Sequence, residues 1–271
     1  MQIPQLSGVL TALATPYDDS GQLDLEALDK LVELLISNGV HALIPGGSSG
    51  EYYSQTLEER KAILARVAEI VKNRIPLHVG ANSMRPEETI ELAKFAEGLG
   101  YGAQLLAAPP YSLPGKPELI AHFRNIEKTL RWRSFTISPP APAWTWTRSS
   151  SKASSISRRC NASAVSMIRL WTSSYGARAP GSPALPTSLP AEHVALYNAC
   201  VEREDFLLGR KPMKTMMPLI YLMQDGGKYN QFKYGASACD VHAPLIGLSD
   251  VERSDKLYEN LKSQKIASWV N

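Results

Sequence analysis

Residues 41–73 read HALIPGGSSGEYYSQTLEERKAILARVAEIVKN. The stretch opens on an apolar run, His41 to Ile44, closed by Pro45-Gly46-Gly47, which is a strand and its stop. Thr56 followed by Glu59 is a capping box, and it predicts a helix running to about Asn73. Strand, glycine-rich loop and helix thus follow one another within one unit. The same unit recurs on both sides. Upstream, Val9–Ala14 is a short apolar strand stopped by Thr15-Pro16. Asp24 then caps a helix whose apolar face is Leu25, Leu28, Leu31, Val32, Leu35 and Ile36, ended by Gly39. Downstream, Pro76–Gly80 is a third strand, and Glu87–Leu99 a third helix with Pro86 in its first turn and Gly100 behind it. Tyr101–Ala107 and Glu118–Leu130 give a fourth strand and a fourth helix.

Four successive βα units imply a parallel sheet with right-handed crossovers. A doubly wound sheet and a barrel share that pattern. Two features favour a (β/α)8 TIM barrel. The chain has 271 residues, close to the ~250 of a typical barrel. No Gly-x-Gly-x-x-Gly turn follows the first strand, so the dinucleotide fingerprint is missing. No run of 18 apolar residues is present, which argues against a membrane-spanning helix. Met1–Gly8 lacks the basic and apolar regions of a secretory signal. The cysteines (Cys160, Cys200, Cys239) are too few for a disulfide framework, and the histidines (His41, His78, His122, His193, His242) have no metal-ligand spacing. A cytoplasmic protein with no metal and no cofactor is the expectation.

In a barrel the chemistry sits at the C-terminal ends of the strands. The second strand ends in Gly46-Gly47-Ser48-Ser49-Gly50-Glu51, where glycines allow close approach and two hydroxyls can hold a small carboxylate or phosphate. A loop that merely turns the chain would look the same. The fourth strand ends in Ala107-Ala108-Pro109-Pro110-Tyr111, and Tyr111 faces either the barrel mouth or the packing beneath it.

Gly8-Val9 through Thr15-Pro16-Tyr17, then Gly47-Ser48-Ser49-Gly50-Glu51, then Pro109-Pro110-Tyr111 resemble, in order, the dihydrodipicolinate synthase / N-acetylneuraminate lyase family. The resemblance implies a (β/α)8 barrel with a C-terminal helical extension. It also implies a Schiff base between a 2-keto acid such as pyruvate and a lysine on the sixth strand, and usually a homo-oligomer. By that match Gly47, Ser48 and Ser49 bind the keto-acid carboxylate and Tyr111 lines the substrate site. The family synthases often carry Pro-Tyr-Tyr where this chain has Pro110-Tyr111-Ser112. That difference leaves another keto-acid lyase or dehydratase open beside dihydrodipicolinate synthesis.

The resemblance stops near Leu130. From Glu127 to Glu192 there is no acidic residue, and residues 131–190 hold eight Lys/Arg, fourteen Ser, seven Pro and four of the five Trp. The net charge of +3 arises there, because the rest of the chain carries 21 Lys/Arg against 26 Asp/Glu. Where the family has Tyr-Asn-x-Pro-x-Arg-Thr-Gly, this chain has Phe135 through Thr147. Codons read one frame away, from the last base of one triplet and the first two of the next, permit Tyr-Asn-Phe-Pro-Ala-Arg-Thr-Gly-Val-Asp-Met-Asp. Both aspartates are forced, by Trp144/Thr145 and Trp146/Thr147. The same frame across Tyr175–Leu185 permits a run that resembles the family's last barrel strand. A frameshift near residue 131, restored near 187, with a deletion between, accounts for the composition. A basic Ser/Arg/Pro-rich linker that binds nucleic acid is the reading it displaces.

Three segments follow: barrel units over 1–130, an anomalous segment over 131–189 where strands five to eight are corrupted or missing, and a helical extension over 190–271. Within the anomalous segment the only lysine is Lys152, in a polar Ser/Ala run with no strand to bury it. Lys228, in Gly226-Gly227-Lys228-Tyr229, lies outside the barrel and reads as structural. No catalytic residue is therefore assigned in the written frame. In the extension, Pro190–Cys200 reads as one helix and Asp205–Gly226 as a longer one broken near Pro212 and Pro218. The Met213, Met216, Met217, Met223 stripe on it is packing. Ser249 and Glu252 cap a last helix. Two functions remain: a pyruvate-dependent lyase or synthase whose written chain is inactive, or a non-catalytic remnant that binds a small carboxylate or a partner subunit. Neither involves nucleic acid or a membrane.

Overall fold

A computed structural model of the chain describes residues 8–18, 20–107, 115–130, 133–136 and 185–224. Each early unit forms where its signals lie. β1 is Leu10–Ala12 and β2 is Ala42–Ile44. β3 is His78–Gly80 and β4 is Ala103–Leu106. Helix α1 spans Leu25–Ser37, with the Asp24 carboxylate accepting from the Ala27 N–H. Helix α2 spans Leu57–Val71 behind the full Thr56/Glu59 capping box. Helices α3, Pro86–Gly98, and α4, Lys116–Glu127, complete four units.

All strand pairings among the described residues are parallel, and the single antiparallel bridge, Tyr17 to Leu23, lies outside the strands. Leu10 lies opposite Ala42, a single bridge joins Leu43 to Leu77, and His78 lies opposite Ala103. A fifth strand, β5, Arg133–Thr136, adds to β4 in parallel. The order in space is therefore β1-β2-β3-β4-β5, the order in sequence. A doubly wound sheet reverses direction at a switch point. This one does not, and successive helices pack on one another, α1 on α2, α2 on α3 and α3 on α4. That is an arc of a barrel with its helices in one outer layer. Strand alternation splits the core accordingly. Leu10, Ala42, Ile44, Ala103 and Leu105 cluster on the inner face. Leu43, Leu77, Val79 and Leu106 pack outward with Leu28, Leu31, Val32 and Leu35 of α1 and Ile63, Leu64 and Val67 of α2.

After residue 184 the chain returns to β1. A short helix α5, Leu185–Ser188, packs on β1, and the buried Thr187 hydroxyl donates to the Ala12 carbonyl at 3.0 Å. Helix α6, Pro190–Tyr197, and helix α7, Phe206–Gln224, then pack on each other. Leu189, Leu196, Met213 and Met216 join the same core as the barrel helices. The described part of the extension, residues 190–224, is thus built into the fold rather than tethered to it. No helix among the described residues is long and apolar enough to cross a membrane.

Three expectations are corrected. Strand five, expected to be corrupted or missing, is present as backbone, because ladder pairing uses main-chain groups that any side chain leaves in place. Strands six to eight lie outside the described residues. Leu25 is not on the buried face: it is 40% exposed, and Ala27 takes its place in the core. Position 25 is the first of the helix, one residue beyond its cap, and the buried stripe starts at Ala27 and Leu28. The long C-terminal helix is not broken, since α7 runs through Pro212 and Pro218. A proline inside a helix costs ~3 kcal/mol, and burial of Met213 and Met216 offsets that cost. The irregularity falls earlier. Helix α6 passes directly into a π-helical stretch, Asn198–Glu202, in which the Arg203 N–H reaches the Asn198 carbonyl. Helical backbone therefore runs from Pro190 through Cys200, as expected. The Gly226–Tyr229 turn, the Ser249/Glu252 cap, Lys152 and Lys228 lie outside the described residues.

Candidate functional site

The carboxylate-loop candidates sit at the C-terminal end of β2. Gly46 takes φ +77°, and Ser48–Gly50 form a single 3₁₀ turn capped by Gly47. Glu51 follows in the left-handed region at φ 59° and is buried. Two glycines are obligatory here. A Cβ on Gly46 would meet the Gly80 carbonyl oxygen at 2.6 Å, and a Cβ on Gly50 would meet the Leu13 carbonyl at 2.9 Å. The turn is therefore packed directly against the ends of β1 and β3. Gly47 is buried, Ser48 is exposed and Ser49 is 7% exposed. Neither serine hydroxyl bonds to another described residue. Tyr111 lies outside the described residues.

Thr15 and Tyr17, just beyond β1, and Gln55 hold the far end of the turn. The Thr15 hydroxyl donates to the Gly50 carbonyl at 2.8 Å. The Gln55 side-chain amide lies 2.6 Å from the same carbonyl and 2.7 Å from the Tyr17 hydroxyl. Burial pushes the Tyr17 phenol up to about 12, so it stays protonated. The near end rests on β3. The Gly80 N–H donates to the Pro45 carbonyl at 2.8 Å, and the Gly80 carbonyl accepts from the buried Arg60 guanidinium at 3.0 Å. Asn82 closes the rim towards β4, its side-chain oxygen accepting from the Ala107 N–H at 2.6 Å.

Sequence reading located the turn and missed its supports. Thr15 stood as part of a strand stop and Tyr17 only within the motif that carries the resemblance, while Gln55 and Arg60 were not singled out. Closeness to the loop in sequence was a signal for Gln55 and Arg60 alone, since Thr15 lies 35 positions from Gly50. The arrangement presents two hydroxyls with no described partner on a rigid backbone, which suits a small carboxylate or phosphate. Among the described residues no group of three or more His, Cys, Asp or Glu could hold a metal ion.

A sequential parallel strand order with the helices in one outer layer is that of a (β/α)8 barrel, and the serine turn lies at the C-terminal end of β2. The stretch over residues 5–130 matches the model of the Dihydrodipicolinate synthetase family. It is 40% identical over 125 residues to a 4-hydroxy-tetrahydrodipicolinate synthase from Bartonella henselae, covering 46% of this chain and 42% of the relative. A 4-hydroxy-tetrahydrodipicolinate synthase from Thermotoga petrophila is 40% identical over 121 residues, covering 45% and 41%. The chain thus spans about two fifths of the length of the curated relatives it matches. In fold the likeness extends further. A dihydrodipicolinic acid synthase family protein from E. coli K12 in complex with pyruvate superposes with a TM-score of 0.78 at 21% identity, over 97% of this chain and 99% of that one. A sialic acid aldolase from Ruminococcus gnavus, a catalytic lysine mutant, gives 0.73 at 19%, over 95% and 96%.

Proposed function

We propose that the chain carries the keto-acid-binding half of a pyruvate-dependent lyase or synthase, and that as written it forms no Schiff base. The observation that carries the first part is the Ser48–Ser49 turn, locked on Gly46 and Gly50 with both hydroxyls uncommitted. The substrate class is supported by relatives named as 4-hydroxy-tetrahydrodipicolinate synthases and by a structural neighbour bound to pyruvate. In chemistry of this type a lysine amine adds to the keto carbonyl, water leaves, and the resulting iminium accepts electrons from the carbon being made or broken. A tyrosine moves protons, and the serine turn fixes the carboxylate.

The second part rests on where the resemblance ends. The family match stops at residue 130, and the acidic residues stop at Glu127. Beyond it the Tyr motif is permitted only one codon frame away, and Lys152 is the only lysine between 131 and 190. A lysine in a polar serine run lacks the apolar sequence neighbours that would lower its pKa and make it nucleophilic. In a protein with frame and deletion repaired, replacing Ser48 and Ser49 together by Ala weakens binding of pyruvate. Hydrogen bonds to a charged group are worth about 1.5–3 kcal/mol, so the loss is at least tenfold by calorimetry. Unchanged affinity would remove the turn from the site.

A further inference from the structure

Arg60 is 5% exposed in the first turn of α2, and no carboxylate among the described residues lies within ion-pair distance of it. Its Nη2 donates to the Gly80 carbonyl, its guanidinium lies over the Tyr52 ring at 5.3 Å, and its Nε is buried without a hydrogen-bond partner. Glu88 acts on it only through space. That carboxylate accepts from the Ser83 hydroxyl at 2.6 Å and pairs with Arg85 instead. Burial pulls the Arg60 guanidinium down to about 10, so it remains a cation near neutral pH. A buried cation with no contacting anion is costly, and proteins keep one where an anion completes it.

The Gly80 carbonyl that Arg60 holds is the atom against which Gly46 packs, and a Cβ on Gly80 would also strike the Gly47 nitrogen. One peptide carbonyl therefore separates the guanidinium from the start of the serine turn. We propose that Arg60 is the positioning residue of this turn, fixing Gly46–Gly47 through the Gly80 carbonyl and supplying the positive charge that selects an anionic ligand there. The proposal deepens the functional reading and rests on it. The ligand it selects is a 2-keto acid as its carboxylate, in preference to the neutral amide of the same shape.

The test uses the full chain and two probes, pyruvate and pyruvamide, titrated by ligand-observed NMR. The wild-type chain prefers pyruvate. Arg60→Met, which keeps the apolar stem, lowers the pyruvate affinity about tenfold and leaves the pyruvamide affinity within about twofold, as loss of a charge at this range requires. Arg60→Lys restores most of the preference, and circular dichroism confirms that both variants fold. If Arg60→Met weakens both probes equally, or if Arg60→Lys behaves like Arg60→Met, the residue is only structural and the inference falls. A wild-type chain that binds neither probe overturns the functional reading itself and this inference with it.

Discussion

His78 shows what burial does to a single residue. It lies on the inner face of β3 opposite Ala103, 2% exposed, and burial lowers its imidazole to about 4. The unfolded chain takes up that proton near pH 6.5. The folded state binds it less readily, so the stability contributed by neutral His78 is complete above about pH 6.5 and drains away as pH falls towards 4. The loss amounts to about 2–3 kcal/mol. Urea midpoints at several pH values between 7.5 and 4 should fall accordingly, and His78→Leu should flatten the slope. An unchanged slope in that variant would assign the acid sensitivity elsewhere. At the same scale Gly80→Ala forces a Cβ into the backbone of Gly46 and Gly47. Neither backbone can yield, so this variant should lose keto-acid binding even where it still folds.

The helices obey their local signals, and their stability should follow. Thr56 and Glu59 satisfy each other's backbone donors at the start of α2. Thr56→Ala removes one partner and should cost about 1 kcal/mol by chemical denaturation. In α1 the contrast between Leu25 and Leu28 is sharper. Leu28 is 1% exposed and Leu25 is 40% exposed. Leu28→Ala should cost about 2–5 kcal/mol through the cavity it leaves, and Leu25→Ala less than about 1. Equal costs would show that the helix is rotated from the orientation described. Surface ion pairs such as Lys30 with Glu26, both largely exposed, should matter little.

Across the whole molecule the question is whether the written chain can do chemistry. Borohydride trapping with pyruvate, read by intact mass, should leave the chain unmodified. The same gene with frame and deletion repaired should gain one stoichiometric adduct. An adduct on the written chain would overturn the proposed inactivity and point to Lys228 or Lys152 as nucleophile. Resequencing codons 128–190 would show whether the frame change belongs to the gene.

The sequence alone determined the parallel βα units, their caps and the position of the serine turn, because each is written in neighbouring residues: an apolar run, a capping box, a glycine stop. It also marked where the family pattern ends. The βα pattern alone was shared by barrel and doubly wound sheet, and sequence favoured the barrel only through length and a missing fingerprint. The strand order itself is visible only in space, through pairings between residues 25 to 34 positions apart. The same holds for the supports of the turn. Thr15 reaches Gly50 across 35 positions and Arg60 reaches Gly80 across 20. The continuity of α7 through two prolines is tertiary as well, since burial of Met213 and Met216 against the barrel helices outweighs a local preference to break.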